Sequence, residues 1–147
     1  MRLGGVDIDY PHHLLGHSDA DVLLHAVTDA VLGAAGLADI GELFPDTAAE
    51  NQGRDSGEML SLAMELVRQA GFHPVNIDCV VLAQEPKLSP HKEAIRGRIA
   101  ALLGVDASLV GVKAKTGERV GPVGRQEAIV AECVVLLQSF ETDQQYL

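Results

Sequence analysis

The stretch GHSDADVLLHAVTDAVLGAAG, residues 16–36, decides how the rest of the chain must pack. Its apolar residues recur at helical spacing and cover most of the circumference, which predicts a largely buried helix. One face, about 100° wide, carries the polar residues Asp21, His25, Thr28 and Asp29. Buried carboxylates and imidazoles are costly unless they are paired, hydrogen-bonded or bound to a ligand, so this polar stripe needs a partner.

Capping residues predict the ends of this helix. Ser18 is expected to cap the first turn with Asp21 at the third helical position, and Gly33 and Gly36 are expected to end it. The residues alone leave two interpretations of the stripe open. In the first, Asp21 complements the helix dipole and His25 is a hydrogen-bonded core histidine. In the second, the stripe forms a wall of a metal or phosphate site.

Composition limits the class of protein. The 147 residues fit one domain, residues 1–147, and 47% are hydrophobic but only 3% aromatic, so aliphatic side chains must build a core that self-association often completes. The net charge of −10 argues against nucleic acid or an anionic membrane as partner. No signal peptide or long apolar span is evident, and Cys79 and Cys133 have no disulfide-framework spacing. We therefore expect a soluble cytoplasmic protein with buried free thiols.

Hydrophobic periodicity predicts helices that alternate with strands. Strands are expected at residues 3–11, 75–83, 109–116 and 127–139, and further helices at 56–70 and from an N-cap at Ser89 to Gly104. A long polar connection, residues 37–58, joins the first two helices, and loops of that length are usually functional. Two successive strands near the end indicate an α/β fold, a two-layer α+β sandwich with a mixed sheet. The tail, residues 140–147, is expected to fray.

Three loops carry side chains suited to chemistry. Asp39 and Asp46 follow the first helix, where they suit a sugar hydroxyl, a cation or a base, or else ordinary turns. Lys87 lies between a strand end and a helix start, a usual place to hold an anion. In the Gly-rich stretch KTGERVGPVGR, which lacks P-loop spacing, the candidates are Thr116, Glu118 and Arg125. Without a serine-hydrolase, zincin or dinucleotide motif, the residues indicate a metal-assisted enzyme acting on a phosphate ligand.

Three stretches, in register over nearly the entire chain, resemble the 2-C-methyl-D-erythritol 2,4-cyclodiphosphate synthases. They are GHSDADVLLHAVTDAVLGAAGLADIGELFPDT, DCVVLAQEPKLSPHK and VGVKAKTGERVGPVGRQEAI. The resemblance implies a homotrimer of ferredoxin-like subunits, with three active sites at the subunit interfaces. It implies a phosphorus-oxygen lyase of the non-mevalonate isoprenoid pathway. The substrate of this family is 4-diphosphocytidyl-2-C-methyl-D-erythritol 2-phosphate, which is closed to 2-C-methyl-D-erythritol 2,4-cyclodiphosphate with release of CMP.

The resemblance also implies a role for individual residues. His17 and Thr116 match positions that stabilise phosphate charge during catalysis, and Asp46 matches a contact to a methylerythritol hydroxyl. His25 matches a zinc ligand, and Glu118 matches the ligand of a second cation, Mg²⁺ or Mn²⁺. The substrate-binding matches are His17, Ser18, Asp39, Ile40, Gly41, Phe44, Pro45, Asp46, Thr47, Ala48, Ala83, Gln84, Glu85, Pro86, Lys87, Leu88, Ser89, Lys115, Thr116, Glu118 and Arg125. Residues 83–89 resemble a cytidine pocket that a neighbouring subunit supplies.

The sequence departs from the family pattern at the zinc site. Family members begin with a strand that bears an Asp-x-His pair, the source of two further zinc ligands, and the resemblance implies that this chain lacks it. Asp7 and Asp9 have the same spacing but match the following strand by register. A catalytic zinc normally takes three protein ligands, so His25 alone is expected to bind weakly. A trimer that binds cytidine nucleotides without turnover is the alternative hypothesis, and a metal-dependent phosphohydrolase is a third.

Overall fold

A three-stranded mixed sheet with helices on one face forms the body of the molecule in the computed structural model, which describes residues 1–140. The strands are β1 (Arg2–Leu3), β2 (Val6–Asp7), β3 (Phe72–Leu82), β4 (Val110–Lys115) and β5 (Val130–Ser139). The helices are α1 (Val22–Ala34), α2 (Ile40–Leu43), α3 (Ser56–Gln69), α4 (Lys92–Leu103) and α5 (Gly121–Gly124). Short 3-10 turns lie at Ala49–Asn51, Ser89–His91 and Ala107–Leu109. The predicted mixed α+β architecture is confirmed.

The central strand of the sheet is β3, which pairs parallel with β4 and antiparallel with β5. Side chains on the helical face build the core with α1, α3 and α4, as Cys79 and Val81 do. On β5 the residues of the opposite face remain in contact with solvent, with Val134 75% and Leu136 57% exposed. The chain therefore covers one face of its sheet and leaves part of the other face open.

The two cysteines lie opposite each other on neighbouring strands. Cys79 of β3 pairs in register with Cys133 of β5, and both are free thiols, as predicted. Cys79 is buried, whereas Cys133 is only half-buried. The adjacent Cys79 thiol and then burial raise the pKa of the Cys133 thiol, so Cys133 stays protonated and is a poor nucleophile.

The first ten residues differ from the single strand expected at residues 3–11. They form a hairpin of β1 and β2 that turns at Gly4 and Gly5, both with positive φ, 61° and 73°. A Cβ at Gly4 would lie 2.5 Å from Cγ2 of Ile95, so the turn packs against α4 too closely for any side chain. The alternation of apolar residues was visible in the sequence, but the glycine pair reverses the chain within it.

Asp21, and not Ser18, caps helix α1. Its carboxylate accepts the N–H of Leu24 at 3.0 Å, and it also accepts the N–H groups of Gly4 at 2.8 Å and Gly5 at 2.6 Å. Burial raises the pKa of Asp21, although the three N–H groups oppose the shift. Because one buried carboxylate serves both elements, the hairpin and the first turn of α1 are held together. Of the two glycines expected to end the helix, Gly33 lies inside α1, and Gly36 follows its end with φ 71°.

Three other boundaries differ from the sequence predictions. Ser89 is not an N-cap, because an exposed 3-10 turn precedes α4 and no side chain caps that turn. The connection 37–58 is not all loop: it contains α2, the 3-10 turn Ala49–Asn51 and the start of α3. Phe140, the first residue of the expected tail, is held by a bond from its N–H to the Gly71 carbonyl at 2.8 Å. The rest of that tail lies outside the described residues, and no helix among residues 1–140 is long and apolar enough to cross a membrane.

Replacement of the capping carboxylate tests this account of the fold. Asp21→Asn offers one acceptor oxygen where two are used, so one buried N–H loses its partner. We expect the free energy of unfolding to fall by about 3 kcal/mol, which chemical denaturation measures. Asp9→Asn, at an exposed position beyond the hairpin, is the matched control and should unfold like the parent chain. Equal unfolding curves for the two variants would contradict the role of Asp21.

Candidate functional site

A pocket of about 290 Å³ opens beside the start of α1. Its lining comprises Gly16, His17, Ser18, His25, Ile40, Gly41, Phe44, Asp46, Asn51 and Met59. Seven of these residues were candidates from the sequence, and they come from the segment before α1, from α1 itself and from the connection after it. The structure therefore brings the first group of predicted residues together within one chain.

Helix α2 forms one side of this pocket because two aspartates fix it in place. Asp29 of α1 accepts the N–H of Ile40 at 2.8 Å, which ties the first turn of α2 to α1. Asp39 caps α2 by accepting the N–H of Glu42 at 2.9 Å. Asp46 is exposed at the pocket, so its carboxylate is available to a ligand. Both aspartates of the expected hydroxyl-binding loop are therefore exposed, but only Asp46 lines the pocket, whereas Asp39 caps α2.

The polar stripe of α1 is only in part a pocket wall. Asp21 holds the hairpin, Thr28 donates to the Leu24 carbonyl at 2.8 Å, and Asp29 holds α2. Of the four stripe residues, only His25 lines the pocket. The interpretation of the stripe as a ligand-binding wall is therefore wrong for its other three members, whose carboxylates and hydroxyl satisfy backbone groups.

His25 lies within a network of hydroxyls that leads to a carboxylate. Its Nε2 is 2.9 Å from Oγ of Ser56 and 3.0 Å from Oγ of Ser18. The Ser56 hydroxyl donates in turn to Asp19, whose carboxylate also pairs with Nε of Arg2 at 3.2 Å. Nearby, Nε2 of His17 is buried and has no hydrogen-bond partner among residues 1–140. An unpaired buried ring nitrogen in a pocket favours a polar ligand there.

Sequence reasoning missed Asn51 and Arg54, which shape the pocket through their side-chain contacts. Asn51 is buried and donates from its amide to the Pro45 carbonyl at 3.0 Å. Its amide oxygen accepts from Arg54 at 2.9 Å, and the Arg54 guanidinium lies 5.0 Å from the centre of the Phe44 ring. These contacts fold the connection back on itself. A single polar residue in a polar loop carries no periodic signal that could have identified Asn51.

The second group of candidates lies where β3 and β4 end. The N–H of Ala83 donates to the Lys115 carbonyl at 2.9 Å, and the N–H of Arg119 donates to the Gln84 amide oxygen at 3.2 Å. These bonds join two predicted segments, residues 83–89 and 115–125. Among the described residues, none of this group lines the 290 Å³ pocket. Glu85 is the one member of this group that shares a cavity with His25: both line a larger cavity of about 570 Å³ in the described chain.

Several charged groups of this second cluster are already paired or exposed. Thr116 donates to the Glu118 carboxylate at 2.9 Å, and Arg125 forms two bonds of 2.9 Å to Glu127. Lys87 is exposed. The expected metal residues are apart in the described chain, since His25 lines both the 290 Å³ and the 570 Å³ pockets and Glu118 lines neither. That part of the chain also contains no group of three or more His, Cys, Asp or Glu side chains placed to hold a metal ion.

The fold and the two clusters define an α+β protein built to bind a small polar ligand. The model of the YgbB family matches residues 1–138, and the chain belongs to this family. It is 59% identical over 137 residues to the 2-C-methyl-D-erythritol 2,4-cyclodiphosphate synthase of Chromobacterium violaceum, covering 93% of this chain and 87% of the relative. With the Shouchella clausii synthase the identity is 55% over 141 residues, or 96% and 89% of the two chains.

Solved structures agree with this assignment. The bifunctional IspDF of Campylobacter jejuni matches with a TM-score of 0.92 at 45% identity, over 96% of this chain and 38% of that longer one. The CDP complex of Plasmodium falciparum IspF matches with a TM-score of 0.83 at 36% identity, over 95% and 83%. The resemblance identified from the sequence is confirmed.

The role of Asn51 in shaping the pocket can be tested without a ligand. Asn51→Ala removes two hydrogen bonds worth about 1 kcal/mol each. We expect the amides of Ala48, Gly53 and Arg54 to exchange with solvent about ten- to thirty-fold faster in hydrogen-exchange NMR. Asn76→Ala, at an exposed position on β3, should leave those rates unchanged. Unchanged exchange in both variants would remove Asn51 from this role.

Proposed function

We propose that this chain is a lyase that converts 4-diphosphocytidyl-2-C-methyl-D-erythritol 2-phosphate to 2-C-methyl-D-erythritol 2,4-cyclodiphosphate and CMP. The observation that carries the proposal is its 53–59% identity, over 93% of the chain, to proteins named as that synthase. The placement of His17, Ser18 and Asp46 in one pocket supports it. The reaction serves non-mevalonate isoprenoid synthesis.

The chemistry is one intramolecular phosphoryl transfer. An oxygen of the 2-phosphate forms a bond to the β-phosphorus, and the bond from that phosphorus to the oxygen bridging to the α-phosphorus breaks. The bridging oxygen leaves on CMP with the electron pair. Such transfers depend on positioning and on charge stabilisation, and little covalent chemistry is required of the protein.

The pocket beside α1 suits the methylerythritol and phosphate end of the substrate. His17 and Ser18 offer donors to phosphate oxygens, and the unpaired Nε2 of His17 is the group with most to gain from such a partner. The exposed Asp46 carboxylate accepts from a sugar hydroxyl. The remaining contacts we assign to this end are Asp39, Ile40, Gly41, Phe44, Pro45, Thr47 and Ala48.

The cluster at the ends of β3 and β4 suits the cytidine diphosphate end. Thr116 donates to phosphate oxygen, and Lys115, Lys87 and Arg125 supply positive charge in a chain whose net charge is −10. For Arg125 this requires release from Glu127. The nucleoside contacts we assign are Ala83, Gln84, Glu85, Pro86, Leu88 and Ser89, as a neighbouring subunit would present them. A homotrimer with sites between subunits unites the two clusters.

The described residues provide only part of the ligand set that a divalent metal ion needs. The family resemblance implies a divalent cation, and His25 provides a ring nitrogen in the pocket where one ligand is expected. The described residues of one subunit do not provide three ligands in one place, and Glu118 lies in the other cluster. When bound, a zinc or magnesium ion supplies charge neutralisation at the phosphates. The roles assigned above to His17, Thr116 and Asp46 do not depend on it.

Mixed assembly tests both the function and the shared site. His17→Ala and Thr116→Ala should each reduce CMP release by at least about 100-fold, since each removes stabilisation of the transferring phosphoryl group. When the two variants are unfolded and refolded together, subunits mix in each trimer. Random mixing leaves about a quarter of the sites with both halves intact, so we expect about a quarter of the parent rate. Phosphorus NMR identifies the cyclic product.

Controls separate the alternatives. Each variant refolded alone should stay inactive, and Ser108→Ala, remote from both clusters, should retain the parent rate. If mixing the two inactive variants restores no activity, each site lies within one subunit. Nucleotide binding without any cyclic product, in the parent chain with Zn²⁺ and Mg²⁺, would support the non-catalytic alternative. Release of inorganic phosphate in place of the cyclic product would support a phosphohydrolase.

A further inference from the structure

The hydrogen bonds around His25 determine where its proton lies. An ionised carboxylate only accepts hydrogen bonds, so the Ser56 hydroxyl must donate its single proton to Asp19. The same hydroxyl lies 2.9 Å from Nε2 of His25. With its proton already committed, Ser56 offers only a lone pair to the ring. Nε2 must therefore carry a proton in order to form that bond.

The second hydroxyl near the ring is compatible with this assignment. Oγ of Ser18 lies 3.0 Å from Nε2 and also accepts the N–H of Ala20 at 3.3 Å. A protonated Nε2 donates to Ser18 and Ser56 together. In a neutral imidazole only one nitrogen carries a proton, so Nδ1 keeps its lone pair. Within the described residues no hydrogen bond to Nδ1 is formed.

The carboxylate that fixes the Ser56 hydroxyl is itself held firmly. Asp19 accepts the backbone N–H of Ser56 at 3.1 Å and that of Asp21 at 3.2 Å, and its side chain is only 16% exposed. Ser56 is fully buried at the first position of α3. The orientation of the hydroxyl is therefore set by the packing of α3 against the segment before α1. In this arrangement the Ser56 proton lies towards Asp19 and a lone pair of the hydroxyl lies towards the ring.

We infer that Asp19 and Ser56 are positioning residues that hold His25 as the Nε2–H tautomer, with Nδ1 left as the atom that takes a ligand. A lone pair binds a divalent cation or accepts a proton, and it does not donate to a phosphate oxygen. His25 and His17 thus have different chemistry although they line one pocket: His25 is an acceptor at Nδ1. The choice of ligand rests on the proposed function, whereas the tautomer follows from the hydrogen bonds alone.

Nitrogen NMR of the imidazole rings tests the tautomer directly. In ¹⁵N-labelled protein at pH 8, above the ordinary imidazole pKa of about 6.5, long-range ¹H–¹⁵N correlation distinguishes protonated from bare nitrogens. We expect the His25 ring to have a protonated Nε2 and a bare Nδ1 in the metal-free chain. His25→Gln identifies the signals by their loss. A protonated Nδ1 in the parent chain would overturn the inference.

Two substitutions test the positioning residues. In Asp19→Asn the side-chain amide donates to Ser56, which frees the hydroxyl proton for Nε2, so we expect His25 to shift towards the Nδ1–H tautomer. In Ser56→Ala the fixed acceptor is lost, and we expect a mixture of the two tautomers. Ser61→Ala is the control, since the Ser61 hydroxyl donates to the Gly57 carbonyl on the same helix. It should leave the ring signals unchanged.

The outcomes distinguish this inference from the proposed function. Retention of the parent ring signals in both Asp19→Asn and Ser56→Ala, with folding confirmed by circular dichroism, would remove the positioning role. The measurement uses no substrate and no metal. An inactive chain with the expected tautomer would therefore refute the proposed function alone, and an active chain with the opposite tautomer would refute the inference alone.

Discussion

The buried carboxylate of Asp21 is the interaction on which the rest of the structure depends. The hairpin needs a Gly-Gly turn to fit against α4, and that turn directs two N–H groups inwards, away from solvent. The first turn of α1 has an unsatisfied N–H at the same place. One carboxylate satisfies all three donors. The unfavourable burial of its charge raises its pKa, but leaving three donors unpaired would cost more.

From this cap the position of the pocket follows. His25 lies one helical turn beyond Asp21, so fixing the start of α1 also fixes the imidazole. Asp19, just before the cap, accepts the N–H of Ser56 at the start of α3. Asp29, two helical turns beyond Asp21, accepts the N–H of Ile40 at the start of α2. The acidic residues of this segment thus act mainly on backbone groups. They position α2 and α3 around the His25 ring. Few side chains in the pocket remain available to a ligand.

The sequence predicted the long helices α1, α3 and α4, the central strand and the first site cluster, because periodicity and local loops carry those signals, whereas the one-turn helices α2 and α5 were expected as loop and turn. His17, Ser18, His25 and Asp46 fall within about thirty residues, and a helix with its flanking segments places them together. The acceptor for the Gly4 and Gly5 amides and the partner of Asn51 are not periodic. The Asn51 contacts are side-chain bonds within one irregular loop, whereas the Asp21 contacts depend on how elements distant in the chain meet, as Asp19 and Ser56 do across 37 residues. Such contacts leave no mark in a single sequence.

Two incomplete features of one subunit have a common resolution in the proposed trimer. The open face of β5 exposes Val130, Val134 and Leu136, and full burial of such a side chain is worth about 1.5 to 3 kcal/mol. Of the second polar cluster only Glu85 shares a cavity with His25 in the described chain, and none of that cluster lines the 290 Å³ pocket. Association through the sheet would supply free energy from apolar area. That free energy would in turn hold the negatively charged subunits together. It would also bring the cluster at the ends of β3 and β4 to the pocket beside α1 of a neighbouring subunit. In the proposed trimer the apolar side chains of β5 would be as necessary to catalysis as the role proposed for His17, because without association neither cluster would have a complete set of substrate contacts.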